Sequence, residues 1–504
     1  MGRNMDVLLI APGDRIEIYQ ALGKSQSALE TPVWAGLLAT FLRKKGYSVH
    51  IIDANAEGLE ANEVARRAAE VNAVLNVIVC YGHQPNASTQ VMPHAGRIVR
   101  AIKEENSSRK VIMVGGHVAA LPEQTLREEM ADFVCTGEGP YTLSALTEAL
   151  KNNATDYKEV PGVIYREDGG VIRTKPAKNV TKLDEEMPGM AYDLLPMHLY
   201  RAHGWHCYGH DDKREPYASL YTTLGCPFHC TFCPIQAPFK EGESALGYKP
   251  SLNSYRRWSA KTIGDQLELL AKNYGIYNVK FADEMFVYHK RHVLELCNDI
   301  IGRGLDLNTW AYVRIDTAGD DEQLELLRKA GVRWLCPGIE SGDTKVRDDV
   351  DKSFAQESIF TTIERIRKHG IYVIGNYLFG LPEDDLNSMQ KTLTLAMELN
   401  CEHANFYSAM AYPGSQLYRY ALEKQWPLPK SWGGFSQHSV DSAPLPTNHL
   451  TGAQVLEFRD WAWTTYFTNP NYLAMVERTF GKNTADKIRK KATVKLVRNN
   501  VPVK

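Results

Sequence analysis

The sequence predicts an α/β protein built as a doubly wound domain followed by a six-unit (β/α) partial barrel and a helical C-terminal region. Three observations carry this. Residues 5 to 150 alternate short β-branched runs with longer helical patterns; a second alternation runs from about 216 to 412; and beyond about 413 the text turns helical and aromatic. Strands that are continuous apolar runs, each followed by a helix, belong to parallel sheets covered on both faces.

A chain of 504 residues is too long for one hydrophobic core, so two or three domains are expected. With 58 basic against 60 acidic residues there is no charge excess that argues for a nucleic acid or a membrane surface, which leaves small molecules or proteins as partners. The opening MGRNMDVLLIAPG reads as a buried strand and not as a signal peptide, and no stretch reaches the roughly 20 apolar residues of a bilayer span. An odd count of nine cysteines, with Cys80, Cys135, Cys297, Cys336 and Cys401 inside apolar runs, suits a reducing cytoplasmic setting.

In the first domain the strands are VLLIAP, VHIIDA, VIVCYG, VIMVGG and FVCTGEG, with helical patterns such as PVWAGLLATFLRKKG between them. Their ends carry the turns APGD, DANAEG, YGHQPNAST, GGHVAALP and TGEG on one rim, where open α/β sheets bind ligands. Gly115 and Gly116, then Gly137 and Gly139, are the candidates for close backbone approach to a bulky ligand, although the same glycines also serve simple turns. GVIYREDGGVIRTKPA reads as a hairpin turning at Asp168-Gly169-Gly170, and KLDEEMPGMAYDLLPMHLY as a connector.

The second series has the strands SLYTTLG, NVKFADEMF, NTWAYVRID, WLCPGIES, YVIGNYLFG and HANFYSAMAY, alternating with helices such as AKTIGDQLELLAKNYG and QESIFTTIERIRKHG. Six βα units favour a barrel or partial barrel, whose chemistry sits at the carboxyl rim. The basic ending ADKIRKKATVKLVRNN reads as a solvated helix face and a frayed terminus.

Directly after the first barrel strand comes GCPFHCTFCPIQ, residues 225 to 236, which sets Cys226, Cys230 and Cys233 at C-x3-C-x2-C. Three thiolates on one loop are a metal site with one position open. A zinc site needs a fourth ligand; His229, His203, His206, Cys207 and His210 are at hand, but His229 would have to fold back into the same tight turn. An iron-sulfur cube takes one thiolate per iron, so three would leave an iron free for a substrate.

The loop resembles the cluster motif of the radical S-adenosylmethionine enzymes, with Phe232 in the aromatic position before Cys233. The order of the domains, with IIDANAEGL, VGGHVAALP, TGEG, GIESG, YLFGLPED and AYPGSQLY, is similar to the branch of that superfamily that carries a cobalamin-binding domain. The resemblance covers roughly residues 5 to 420. It implies a Rossmann-like cobalamin-binding domain over 1–155, a hairpin and connector over 156–212, a (β/α)6 partial TIM barrel over 213–425 and a helical region over 426–504.

It implies three cofactors: a 4Fe-4S cluster, S-adenosylmethionine and cobalamin. It also implies a reduced flavodoxin- or ferredoxin-type electron donor and a small-molecule substrate. In the superfamily the reduced cluster cleaves S-adenosylmethionine to a 5′-deoxyadenosyl radical; in this branch the cobalamin commonly carries a methyl group. The expected activity is methylation of an unactivated carbon of a biosynthetic intermediate. Rearrangement or cyclisation without methyl transfer is the alternative within enzymes, and a non-catalytic cobalamin-binding module the alternative outside them. One departure stands out: the stretch after the first strand, APGDRIEIYQALG, lacks the histidine with which methionine-synthase-like domains ligate cobalt. His83 and His117 lie at strand ends, where ordinary hydrogen bonding is the plainer role.

The resemblance assigns Asp283 and Glu284 to the methionyl ammonium, against a helix cap. Arg314 is assigned to the methionyl carboxylate, against a salt bridge. Glu340 is placed for the ribose hydroxyls, and Asn376 with the Gly380-Leu381-Pro382 turn for the adenine. Tyr412-Pro413-Gly414 reads as a turn only, and no residue is assigned as a catalytic acid or base.

Overall fold

A computed structural model describes residues 5–25, 27–209 and 213–500; His210 lies outside them. The first sheet contains β1 (Val7–Ala11), β2 (Val49–Asp53), β3 (Leu75–Val79), β4 (Val111–Val114), β5 (Phe133–Cys135), β6 (Val163–Glu167) and β7 (Gly170–Arg173), in the order β2-β1-β3-β4-β5-β6-β7. β1 to β5 pair in parallel, and β6 and β7 add antiparallel strands at one edge. The hairpin expected in the connector is therefore part of the first sheet. The two faces are buried separately: Leu8 and Ile10 of β1 pack with Ile98, Val99 and Ile102 of the helix Met92–Glu105, while Val7 and Leu9 join a core that runs on into the second domain. Alternation along a strand produces this division.

The order places a topological switch between β1 and β3, where the loops that follow the two strands diverge and open a crevice. The second sheet begins with β8 (Tyr217–Leu220); the short strands β9 (Thr223–Leu224) and β10 (Arg256–Arg257) pair beside it. It continues with β11 (Asn278–Phe281), β12 (Asn308–Arg314), β13 (Val332–Glu340), β14 (Tyr372–Phe379) and β15 (His403–Ser408), all parallel, in the order β15-β14-β13-β12-β11-β8. β8 and β15 do not pair with each other, so the barrel is open.

Both free edges are covered, as unpaired strand edges require. Along β8, the Thr31 hydroxyl of the first domain accepts from Ser219 N and donates to Ser219 O, each at 3.0 Å. At β15 the helix Gly452–Phe467 supplies Arg459, whose Nε donates to Phe406 O at 2.8 Å, and Tyr466, whose hydroxyl donates to Cys401 O at 2.7 Å. The helices predicted between strands carry the caps their sequences contain: Ala260–Tyr274 starts on Ser259, whose hydroxyl accepts from Thr262 N, and ends on Gly275 at φ 63°.

The amino-terminal mouth of the barrel is filled by rings. Trp205 packs edge-on against Trp310 and Trp334 at 5.1 and 5.6 Å, and Phe480 stacks on Trp334 at 5.7 Å. The basic C-terminal stretch is not the frayed end expected from its sequence. It forms the helix Lys482–Ala492, after which Arg498 pairs with Asp460 at 3.0 Å and donates to Gln437 O and Ser439 O. Val497 N donates to Gln20 Oε1 of the first domain at 3.1 Å. Lys482, Lys487, Arg489 and Lys490 are exposed, as a solvated helix face should be, whereas Arg498 pins the segment around 437–439, a tertiary role that charge patterning does not reveal.

Candidate functional site

The three-cysteine loop leaves β8 over the carboxyl rim and is tied down on both sides. Asp283, at the end of β11, is 1 % exposed and accepts from Thr222 N, Thr222 Oγ1 and Thr223 Oγ1 at 2.5 to 3.1 Å. On the far side Gln236 Oε1 accepts from Cys226 N at 3.0 Å, Gln236 Nε2 donates to Glu243 at 2.7 Å, and the same Glu243 oxygen accepts from Ser254 N and Oγ. Gly225 at φ 87° brings its backbone against Ser254 O, where a Cβ would stand 2.3 Å from the oxygen. Nothing in the sequence pattern pointed to Gln236, Glu243 or Ser254.

Cys226 is buried, and Cys230 and Cys233 are half-buried. Burial pushes the Cys226 thiol up to about 12 and also raises that of Cys233, so binding iron would displace protons. Among the described residues no three Cys, His, Asp or Glu side chains converge on the position of a single ion. Of the histidines considered for zinc, His203 Nδ1 accepts from Ala28 N and His206 bonds Asn308 O at 3.0 Å, while His229 is exposed. Three separated thiols on one loop fit a polynuclear cluster better than zinc.

Cations flank these thiols. Arg314 Nη1 lies 3.5 Å from Cys230 Sγ, with its guanidinium 4.5 Å from the Phe228 ring centre and its Nε on Asp316 at 2.8 Å. Lys352, 7 % exposed, pairs with Glu340 and sits 5.8 Å from the Phe232 ring. Glu340 holds φ at +63°, a costly conformation for a residue with a Cβ, where the β13–β14 register shifts.

The other candidates separate by whether their polar atoms are already used. Asp283 is spent on the turn before the cysteines, so it positions the loop. Glu284 differs: its Oε1 is buried with no hydrogen-bond partner, and burial pushes the carboxyl up to about 7. Asn376 accepts from Asn405 Nδ2 of the adjacent β15 at 2.9 Å and donates to Pro337 O of the adjacent β13 at 3.3 Å. The Gly380-Leu381 amides donate to Asp384, which fixes that turn.

Glu284 faces a cleft of about 570 Å³ between the two domains. Its walls are Tyr81, Gln84, Gly116 and His117 from the first domain, and Gly225, Pro234 and Ile235 from the cysteine loop. Pro413 completes it, so the Tyr412-Pro413-Gly414 turn is more than a chain reversal. The four glycines divide. Gly115, whose Cβ would meet Cys80 O at 2.3 Å, and Gly139 at φ 113° are required by the backbone. Gly116 lines the cleft, and Gly137 has nothing closer than Pro238 O at 3.9 Å, so these two leave room for a ligand.

His117 is packed edge-on to Trp432 at 4.4 Å, bonds Thr89, and is held neutral by burial, near 3. Trp34 stacks on Tyr81 at 4.1 Å, and the pair separates this cleft from a second of about 740 Å³ at the β1–β3 switch, lined by Arg15, Asp53, Asn55 and His83. The domains are locked by buried charge: Lys280 of β11 pairs with Glu30 at 2.9 Å and donates to His83 O, and Arg256 pairs with Glu138 at 2.8 Å.

The comparisons agree with this geometry. The B12-binding domain family matches residues 21–147, and the radical SAM superfamily matches residues 220–396. The chain belongs to the radical S-adenosylmethionine superfamily, in the branch that carries a B12-binding domain ahead of the radical domain. It is 26 % identical to an uncharacterized methyltransferase of Pyrococcus horikoshii, over 93 % of this chain and 94 % of that one. It is 26 % identical to the cytidylyl-2-hydroxyethylphosphonate methyltransferase of Streptomyces wedmorensis over 78 % of each, and 25 % identical to the anaerobic magnesium-protoporphyrin IX monomethyl ester cyclase of Rubrivivax gelatinosus over 82 % of this chain and 70 % of that one. In fold it is similar to the radical S-adenosylmethionine methyltransferase TsrM of Kitasatospora setae, with a TM-score of 0.67 at 16 % identity over 96 % of this chain and 98 % of that one. It is also similar to the cobalamin-dependent S-adenosylmethionine radical enzyme OxsB, with a TM-score of 0.68 at 16 % identity over 96 % and 71 %.

Proposed function

We propose that this chain is a cobalamin-dependent radical S-adenosylmethionine methyltransferase acting on an unactivated carbon of a small-molecule intermediate. One observation carries the reading: a single cleft is walled by the cysteine loop, by the β3 and β4 loops of the first domain, and by the unpartnered Glu284 carboxylate. Two cofactors can therefore meet over one substrate. The names of the relatives support methyl transfer as the outcome.

Cys226, Cys230 and Cys233 would hold a 4Fe-4S cluster. Glu284 would accept from the ammonium of S-adenosylmethionine, and Asp283 would act by holding Thr222 and Thr223. Arg314 and Lys352 would offset the negative charge of the thiolates. Glu340, Asn376 and the Gly380-Leu381-Pro382 turn remain our assignments for the ribose and adenine, with Glu340 reached through its pair with Lys352. Gly116 and Gly137, backed by Gly115 and Gly139, would admit the corrin. When bound, these groups supply a carbon-centred oxidant and a methyl carrier; the chain orients them and excludes water. The reading includes a first unit over 1–155 with its sheet extended by the hairpin, a radical unit over 213–425, a helical region over 426–504, a reduced flavodoxin- or ferredoxin-type donor, and a cytoplasmic location.

The test is anaerobic reconstitution with iron, sulfide and cobalamin, followed by reductant and methyl-labelled S-adenosylmethionine with candidate acceptors. Formation of 5′-deoxyadenosine with label in the product is expected. A loaded protein that yields no 5′-deoxyadenosine refutes the radical reading. Turnover without label transfer favours rearrangement or cyclisation, a reading supported by the similarity to the ester cyclase.

A further inference from the structure

The cavity at the β1–β3 switch, about 740 Å³, is the larger of the two spaces described above, and the assignments made so far leave it unused. Its wall is built by the loops that follow β1, β2 and β3, which contribute Arg15, Asn55 and His83. Trp34 and Tyr81 belong to this wall and to that of the cleft, and adjoining residues of the β3 loop divide between them, His83 on the cavity and Gln84 on the cleft. The two spaces are therefore neighbours across one pair of rings.

Arg15 is the odd member of this wall. Its Nη1 is buried and has no hydrogen-bond partner among the described residues. The acids of its own short segment are taken: Asp14 accepts from Ile16 N and Glu17 N and lies 3.7 Å from Arg97, and Glu17 pairs with Arg97 at 2.7 Å. The two carboxylates in the cavity wall are also committed. Glu30 accepts from Lys280 at 2.9 Å and from Ser219 Oγ at 2.8 Å, and Asp53 accepts from Ala56 N at 2.9 Å and from the Tyr200 hydroxyl at 2.8 Å. Burial, and then the like charge of Arg201, disfavours the ionised guanidinium, and Asp53 offsets them only in part. In the same wall Asn55 Oδ1 is buried with no partner either. A charge taken from water without an opposite one is unfavourable, and a ligand that brings the opposite charge relieves it.

We propose that Arg15 grips an anionic group, a carboxylate or a phosphate, of the molecule that is methylated, while Asn55 Oδ1 accepts from a hydroxyl or amino group of the same molecule. The proposal rests on the methyltransferase reading above and names the class of its acceptor. A guanidinium meets either anion with two parallel hydrogen bonds, which fix direction as well as position. The wall also includes Ile18, Val79, Val91 and the ring of Trp34, so the acceptor is an anion with an apolar body. Held by its charged end in the cavity, it extends past Tyr81 into the cleft, where Glu284 and the cysteine loop stand.

Inorganic phosphate and acetate are the probes, titrated calorimetrically into the reconstituted protein at constant ionic strength. Saturable binding is expected, and the tighter of the two anions tells a phosphorylated acceptor from a carboxylic one. Arg15→Gln should raise the dissociation constant about tenfold or more, and Arg15→Lys, which keeps the charge without the fork, by less. Asn55→Asp sets a competing carboxylate in the same wall at no change of shape and should weaken binding as much as Arg15→Gln does, so the proposal stays testable even where the guanidinium is needed for folding. Anion binding that is unchanged in a folded variant of either kind, or no saturable binding to the parent, overturns the assignment. An Arg15→Gln protein that loses cobalamin yet retains cobinamide, which lacks the nucleotide and its phosphate, overturns it too, because the guanidinium then serves the corrinoid. Formation of 5′-deoxyadenosine and label transfer by the parent decide the methyltransferase reading on their own, so the two failures are told apart.

Discussion

Arg314 Nη1 and Cys230 Sγ stand 3.5 Å apart, and the same guanidinium lies over Phe228, two residues before the cysteine. A permanently charged planar group therefore supports the loop by stacking and by charge at once. Replacing Arg314 by Gln should reduce iron retained after reconstitution and weaken S-adenosylmethionine binding at least tenfold. Arg314→Lys, which keeps the charge and loses the plane, should fall between. Iron and sulfide analysis with equilibrium binding checks both.

Glu284 provides a pH signature. Its carboxyl is raised from the ordinary 4.5 to about 7 by burial, so the ionised form grows in as pH rises through 7. If that form receives the methionyl ammonium, affinity should rise about tenfold between pH 6 and 8. Glu284→Gln should bind more weakly and show a flat profile. Binding measured across this range in both proteins decides the matter.

The Lys280–Glu30 pair is buried on both sides, with side chains 1 and 5 % exposed. Removing one partner strands the other charge, a loss of about 3 to 5 kcal/mol for such pairs. Lys280→Met alone should therefore lower the denaturant midpoint markedly. Combining it with Glu30→Leu should recover part of that loss, because neither charge is then buried.

Asp53 is raised from 3.8 to about 6 by burial, though it accepts from Ala56 N and from the Tyr200 hydroxyl at 2.8 Å. The unfolded chain releases this proton near the ordinary value and the folded chain near 6. The stabilisation is thus whole below about pH 4 and is lost as pH rises to 6, roughly 3 kcal/mol in all. Asp53→Asn should flatten the dependence of unfolding on pH in that window.

Much of this arrangement was legible in the sequence because it rests on local pattern. Apolar runs such as VLLIAP and VIVCYG pointed to the parallel strands, and C-x3-C-x2-C to the loop. What escaped depends on distant partners. The strands β6 and β7 read as an isolated hairpin, since alternation does not say which edge a hairpin joins. Asp283 and Glu284 are adjacent and chemically alike, yet one is consumed by Thr222 and Thr223 and the other is unpartnered, a difference set by residues about 60 positions away. Arg498 read as part of a frayed terminus, because Asp460 and Gln437 are near it only in the folded chain.

Among the described residues, the ring stack of Trp205, Trp310, Trp334 and Phe480 plugs the amino-terminal end of the second domain. The opposite end, beneath the first domain and beside Pro413, is where the chain leaves space. A ligand arriving there meets both domains at once, so the two halves of the molecule share the work of admitting it.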